Sequence, residues 1–481
     1  NAGNSITSGG NYNVTVGDEA GTAITTGDNN SAVGYNSLAA NTTGTLNTAV
    51  GKDAGLSVTT GGQNTLIGAS SGDALTTGGN NVAVGISALS SDTSGGKSVG
   101  IGYAALLNQN QTGGADAFNT AVGASAGLSV TTGLMNTLIG AEAGDALTDA
   151  DYNVAVGKEA LGSDTLGSKS VAIGTSALYT QNFTSATDAY NTAVGHNSGT
   201  NVTTGVNNTL IGGLAGDAIT DADENVAVGM NALATNTLGS SSVAIGHQAL
   251  FNQNYTSATN AYNVAVGKNA GVAVTTGVAN TLIGGLTGDA IQAGNQNTFI
   301  GYNLATSGVN VENQIAIGVA GTAGATSTAR FVIGSNTATL GIDGSDSSWA
   351  PASSDERLKE NIETSTAGLS FIKDLRPVTY NWKKKKDVAS DIPHYYEEGS
   401  DEPVLGYVYG RKLHGFIAQE VKTAIDNNSS DLADGFKFHQ QADHGMQTVA
   451  DGNLIPMLTK AIQELSTALD AALARIATLE G

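Results

Sequence analysis

The sequence predicts a mostly β chain: a parallel β-solenoid followed by a small α+β domain that ends in a coiled-coil helix. Three observations predict it. A five-residue phrase recurs every 17 residues through the first two thirds of the chain. The composition changes abruptly near residue 350. The last 25 or so residues carry apolar side chains at alternating steps of four and three.

The phrase reads Asn or Ser, then Thr or Val, then Ala or Leu, then Val or Ile, then Gly. It starts at Asn13, Asn30, Asn47, Asn64, Asn81 and Ser98, and is found again from Asn119, Asn191 and Asn263, with weaker copies at Asn313 and near Arg330. After Ser98, Ser170 and Ser242 the step is 21 residues, so that Asn47, Asn119, Asn191 and Asn263 mark a 72-residue super-repeat. Seventeen residues are too few for a helical hairpin or a propeller blade, but they suit one solenoid coil. Four alternating residues stopped by glycine make a short strand and a tight turn. Residues such as Val58-Thr59-Thr60 are expected to add a second strand, and Gly61-Gly62 a second turn. About 19 coils at the ~4.8 Å strand spacing would form a stack of roughly 90 Å. The inward positions are expected to be Ala, Val, Ile, Leu and Thr, a thin core that three copies sharing an axis would complete.

Composition sets the domain boundaries and excludes several classes. All five prolines and 14 of the 20 Lys and Arg lie beyond residue 350, whereas 56 of the 65 glycines precede it. The expected domains are a shaft at 1–340, a linker at 341–353 and a C-terminal domain at 354–481, with its coiled coil at 454–480. With no cysteine there is no disulfide scaffold or thiolate site. A formal charge of -22 disfavours nucleic acid as a partner, and no apolar run is long enough to insert in a membrane. The chain opens at Asn1 without a signal-like segment, so an attachment region before it is expected. No cofactor or metal is expected: acidic turns such as Asp221-Ala222-Asp223-Glu224 lack the ligand spacing of a calcium loop, and the C-terminal histidines lack metal-ligand spacing.

The extra residues of the long coils fall at Leu107–Phe118, Tyr179–Tyr190 and Phe251–Tyr262. Tyr179, Phe183, Phe251 and Tyr255 are candidate receptor-contact residues if these segments loop outward; the alternative is aromatic packing at a seam between chains. In the terminal helix Leu458, Ile462, Leu465, Leu469, Ala472, Ile476 and Leu479 form an a/d seam suited to a parallel trimer.

Two stretches resemble known families. Asn153-Val154-Ala155-Val156-Gly157 and Ser170-Val171-Ala172-Ile173-Gly174 resemble the head repeats of trimeric autotransporter adhesins, which form left-handed parallel β-rolls; phage tail fibres carry a similar phrase. Ser354-Asp355-Glu356-Arg357-Leu358-Lys359-Glu360-Asn361-Ile362, with Leu375–Trp382, Gly415–Val421 and the terminal heptads, resembles the endosialidase-type intramolecular chaperone autoprotease. That domain ends many phage tail spikes and fibres. The departures are the insertion at 383–404 and the segment 427–447.

The second resemblance implies a homotrimer whose C-terminal domain aligns the chains and then cuts itself off between Ser353 and Ser354. Ser354 would be the nucleophile and Lys359 its base. A serine hydroxyl is weak until a neighbour takes its proton, and a lysine does so only when burial lowers its pKa. The implied partners are a host cell-surface glycan or protein receptor and other virion tail proteins, and the implied location is the virion tail. A bacterial surface adhesin is the alternative, and a polysaccharide-degrading tail spike the next.

Overall fold

The computed structural model describes residues 1–6, 9–305, 308–322, 328–333, 336–341, 350–351, 362, 365, 367–388, 397–402, 412–428, 439–441, 447–449 and 454–480. The chain divides into two compact units, Asn1–Ser354 and Asp355–Gly481.

The first unit is a parallel β-solenoid. Each coil contributes one short strand, and successive strands stack in exact phrase register: Thr48, Ala49 and Val50 lie beside Thr65, Leu66 and Ile67. The parallel ladder runs from Val14–Val16 to Thr328–Ile333. Asn336–Gly341 then turns back antiparallel, and Ala350–Pro351 pairs with it. The copy read at Asn313 starts one residue later, because Gln314 N–H donates to Asn297 Oδ1 and so occupies the ladder position.

The phrase's asparagine holds the coils together. The Asn64 amide N–H donates to Asn47 Oδ1 at 3.0 Å, and Asn64 Nδ2 donates across the coil to the Gly78 carbonyl at 3.0 Å. Asn64 Oδ1 in turn accepts the Asn81 N–H at 3.0 Å, so both ends of its buried side-chain amide are satisfied and each rung orients the next.

The second strand expected at Val58-Thr59-Thr60 does not form. The N–H groups of Thr42, Thr43 and Gly44 all converge on the Thr59 carbonyl, at 2.9, 3.3 and 3.4 Å. One carbonyl per coil carries that side of the stack, a bend rather than a strand. Among the described residues, two of the longer coils add a second strand pair, Gly167–Ser168 with Thr187–Asp188 and Gly239–Ser240 with Thr259–Asn260, and the first adds a single bridge between Gly96 and Asp116.

The inward assignment also needs correction. Only the middle strand residue points into the coil, as Ala49, Leu66 and Ala83 do, all fully buried. The flanking Val, Ile and Thr point out. The remaining core comes from the turns. Leu38, Leu89 and Leu106 alternate in pairs with Gly55, Gly72 and Gly127 at one corner. A Cβ on Gly72 would lie 2.8 Å from Leu66 Cδ2, so the small corner residue makes room for the large strand residue. The same match recurs at Gly144 and Leu138, and at Gly216 and Leu210. The 72-residue period is thus the period of core packing.

The second unit has a small core of Phe371, Leu375, Val421, Ala424, Ile425 and Leu454. Helix α1 (Leu369–Asp374), helix α2 (Ala418–Asn428) and helix α3 (Ile455–Glu480) surround it. Val378–Tyr380 pairs antiparallel with Leu413–Gly415, as does His439–Gln441 with Gln447–Val449. Helix α1 begins at Leu369, after Gly368. There Glu464 of α3 accepts the Leu369 N–H at 2.7 Å and caps the exposed end of α1. In the 383–404 insertion Lys384 pairs with Asp401 at 2.8 Å, Lys385 with Glu397 at 2.9 Å and Glu402 at 2.8 Å, and Lys386 with Asp401 at 2.6 Å.

Candidate functional site

Two apolar surfaces stand exposed among the described residues. The first is the outer face of the solenoid sheet. Its strand residues alternate out, in, out, so positions two and four of every phrase share one face. Position four is Val50, Ile67, Ile101, Ile139, Ile173, Ile211 or Ile245 along the stack, each more than one third exposed. Two further columns flank them. One holds the residue before the asparagine, such as Phe118, Met135, Tyr152 and Tyr262. The other holds the residue after the turn glycine, such as Tyr35, Ile86, Tyr103 and Met230. Among the described residues of this unit, every large exposed apolar side chain lies in these four columns except Tyr179 and Val309. A continuous face of this kind marks an interface.

The second surface is the seam of α3. Ile462 is 66% exposed and Leu479 79%; Leu458, Leu465, Leu469 and Ile476 are exposed as well. The helix packs on its own unit through Ala461 and Met457 instead. The a/d stripe is therefore free along three heptads.

The aromatic candidates separate. Phe183 and Tyr255 are not outward contact residues, because each is only 6% exposed. The Phe183 ring covers Gly167, where a Cβ would meet Phe183 Cδ2 at 2.7 Å, and Tyr255 covers Gly239 in the same way. The Tyr255 hydroxyl donates to the Gly277 carbonyl at 2.7 Å, and burial pushes its pKa up to about 12. Tyr179 stays 39% exposed beside Gly162, and Phe251 is half-buried. Ser353, Ser354 and Lys359 lie outside the described residues, as does most of the 341–353 segment.

A buried polar cluster in each long coil escaped the sequence reading. Where Ser170 replaces the ladder asparagine, its side chain is too short to reach the next coil. Gln181 fills the gap: its Nε2 donates to Asp164 Oδ2 at 2.5 Å and to Ser170 Oγ at 3.1 Å, while its Oε1 accepts from Asn191 Nδ2 at 2.8 Å. Burial raises the Asp164 pKa, against hydrogen bonds from Gln181 and the Phe183 and Gly167 amides. The signal was present in the sequence. Gln109, Gln181 and Gln253 each stand 11 residues after the phrase's serine, and only in the long coils. Among the described residues no group of three or more His, Cys, Asp or Glu is placed to hold a metal ion, and no helix is long and apolar enough to cross a membrane.

Residues 354–429 match the model of a family described as chaperone of endosialidase. The C-terminal unit carries a chaperone-of-endosialidase domain. That domain starts where the two structural units part, at Ser354, and includes α1, α2 and the Val378–Tyr380 strand. A chaperone-of-endosialidase domain behind a long β-solenoid is the organisation of a tail-fibre or tail-spike type of protein. Among curated proteins and solved structures, none matches the chain.

Proposed function

We propose that the chain forms a homotrimeric tail fibre or spike of a phage, and that its chaperone domain aligns three chains and then cuts itself off between Ser353 and Ser354. The observation that carries this reading is the pair of unpartnered apolar surfaces in one chain: a parallel a/d seam on α3 and a full-length apolar face on the coil stack. Both are regular along the chain direction, so parallel copies satisfy them together. The family match supports the cut, since it begins at Ser354.

Identical coils slip against each other at small cost, and non-local parallel pairing forms slowly. A seam at the C-terminus gives three chains a common starting level from which the coils zip together. In the cut, Lys359 takes the proton of Ser354, and Oγ attacks the Ser353 carbonyl carbon. The Ser353–Ser354 C–N bond breaks as the nitrogen gains a proton, and water hydrolyses the resulting ester. Removal of the domain then leaves a kinetically trapped fibre. The fibre acts outside the cell, on a host surface receptor.

Denaturing electrophoresis with mass spectrometry tests the reading. The parent chain yields two fragments that meet at Ser353 and Ser354, while Ser354→Ala and Lys359→Ala remain whole and still assemble. Cleavage of Ser354→Ala at the same bond would sink the assignment. Light scattering gives three times the 48.0 kDa chain mass before the cut.

A further inference from the structure

We propose that Tyr152 of one copy packs against Lys158 of the next, and Tyr262 against Lys268, so that the edges of the solenoid face read register between chains. The inference rests on the trimeric reading and adds to it a specific set of partners.

The strands run across the face, perpendicular to the stack. Tyr152 stands just before the Val154–Val156 strand and Lys158 just after its turn glycine, so they mark opposite edges of the face. Both are exposed, Tyr152 by 51% and the Lys158 side chain by 57%, with Lys158 Nζ paired to Glu159 of its own chain. Within one chain they stay apart, because the Val154–Val156 strand lies between them. Tyr262 and Lys268 flank the Val264–Val266 strand in the same way, and both are exposed.

Parallel copies related by rotation about an axis along the stack make a head-to-tail interface that closes into a ring. The leading edge of one copy then meets the trailing edge of the next at the same level. Each coil therefore opposes its residue before the asparagine to its residue after the glycine. In three coils this places a lysine against a tyrosine ring, the third pair being Lys97 and Tyr103, a favourable cation–π arrangement. In the coil of Asn119 it places large against small, Phe118 against Ala124. The leading column already uses this chemistry internally: Lys97 Nζ lies 5.1 Å from the Phe118 ring centroid, and Lys169 Nζ 5.2 Å from that of Tyr190. A slip of one coil would lose all three tyrosine–lysine contacts, and in one direction it would set Lys158 against Lys169. The edge sequence thus disfavours the slipped assemblies that identical coils otherwise allow.

The absence of cysteine permits a direct test. In the full chain carrying Ser354→Ala, Tyr152→Cys with Lys158→Cys should oxidise to a covalent trimer on a non-reducing denaturing gel. Tyr152→Cys with Ala124→Cys, two coils out of level by about 9.6 Å, should stay monomeric on that gel, because a disulfide requires Cα atoms within about 7 Å. Separately, Tyr152→Lys should lower the melting temperature of the trimer, and adding Lys158→Tyr should restore it. A trimer by light scattering that links only the offset pair, links neither, or is not restored by the reversed pair overturns the register inference and leaves the trimer standing. A monomer by light scattering overturns both.

Discussion

Leu66 occupies the space that a side chain on Gly55 would need: a Cβ there would lie 2.7 Å from Leu66 Cδ1. Gly55 also sits at φ 62°, in the left-handed region that glycine enters without strain. Strand residue and corner residue are thus chosen together, one coil apart.

Leu138→Ala, at the equivalent position, should cost about 2–5 kcal/mol, since the glycine corners on either side cannot fill the cavity. Gly127→Ala should also destabilise, because its Cβ would meet Leu138 Cδ1 at 2.8 Å and its φ is 61°. The double variant relieves the clash but keeps the backbone strain, so its loss should be smaller than the sum. Denaturant midpoints of the three variants check this.

Asp164 sets a pH dependence. Its folded pKa is raised above the ordinary 3.8, so its contribution is fully present below pH 3.8 and is lost as pH rises through the raised value. At the corresponding place in the next super-repeat stands Asn236, whose Oδ1 accepts the Gly239 N–H at 3.0 Å as Asp164 Oδ1 accepts that of Gly167 at 3.0 Å. Asp164→Asn should therefore melt higher at neutral pH and flatten the acid-side slope. Part of the slope persists, because burial also raises Asp145, Asp217 and Asp289. Melting curves from pH 3 to 8 give the comparison.

Gln181→Ala removes the donor to Asp164 and Ser170 and the acceptor of Asn191 in one step. A loss of about 1–3 kcal/mol is expected for each buried group left unsatisfied. Gln181→Glu should be worse at neutral pH than at acid pH, because a second carboxylate would face Asp164.

Ile173→Asp on the outer face should leave the single chain folded, since Ile173 is already 38% exposed there. Assembly should fail, with light scattering moving from three chains towards one. Leu465→Asp with Leu469→Asp should have the same effect and block the cut as well.

Most of the architecture was legible because the phrase is a backbone instruction. Asn47, the alternating Thr48-Ala49-Val50 and Gly51 specify a rung, a strand and a turn with little help from the rest of the molecule. The heptads from Leu458 to Leu479 were legible for the same reason. Burial within the long coils was less so. Phe183 and Tyr255 read as outward contacts or as packing at a seam between chains, yet each covers a glycine of the preceding coil, a match visible only when coils are stacked. The strand expected at Val58 failed because three amides share the Thr59 carbonyl, a pattern that composition does not encode. The second unit was legible by resemblance rather than by period, and Ser354 and Lys359 lie outside the described residues.

The paired glycine and leucine corners also govern how such a gene can change length. Unequal recombination that adds or drops 72 codons rejoins each leucine to the glycines it needs, and the new junction is indistinguishable from the old ones. A 17-codon change keeps the strand ladder but puts leucine corners beside leucine strands or leaves glycine facing glycine. The shaft is therefore able to lengthen in steps of four coils, about 19 Å each, and the reach of the fibre becomes a quantised trait that selection can adjust without redesigning the core.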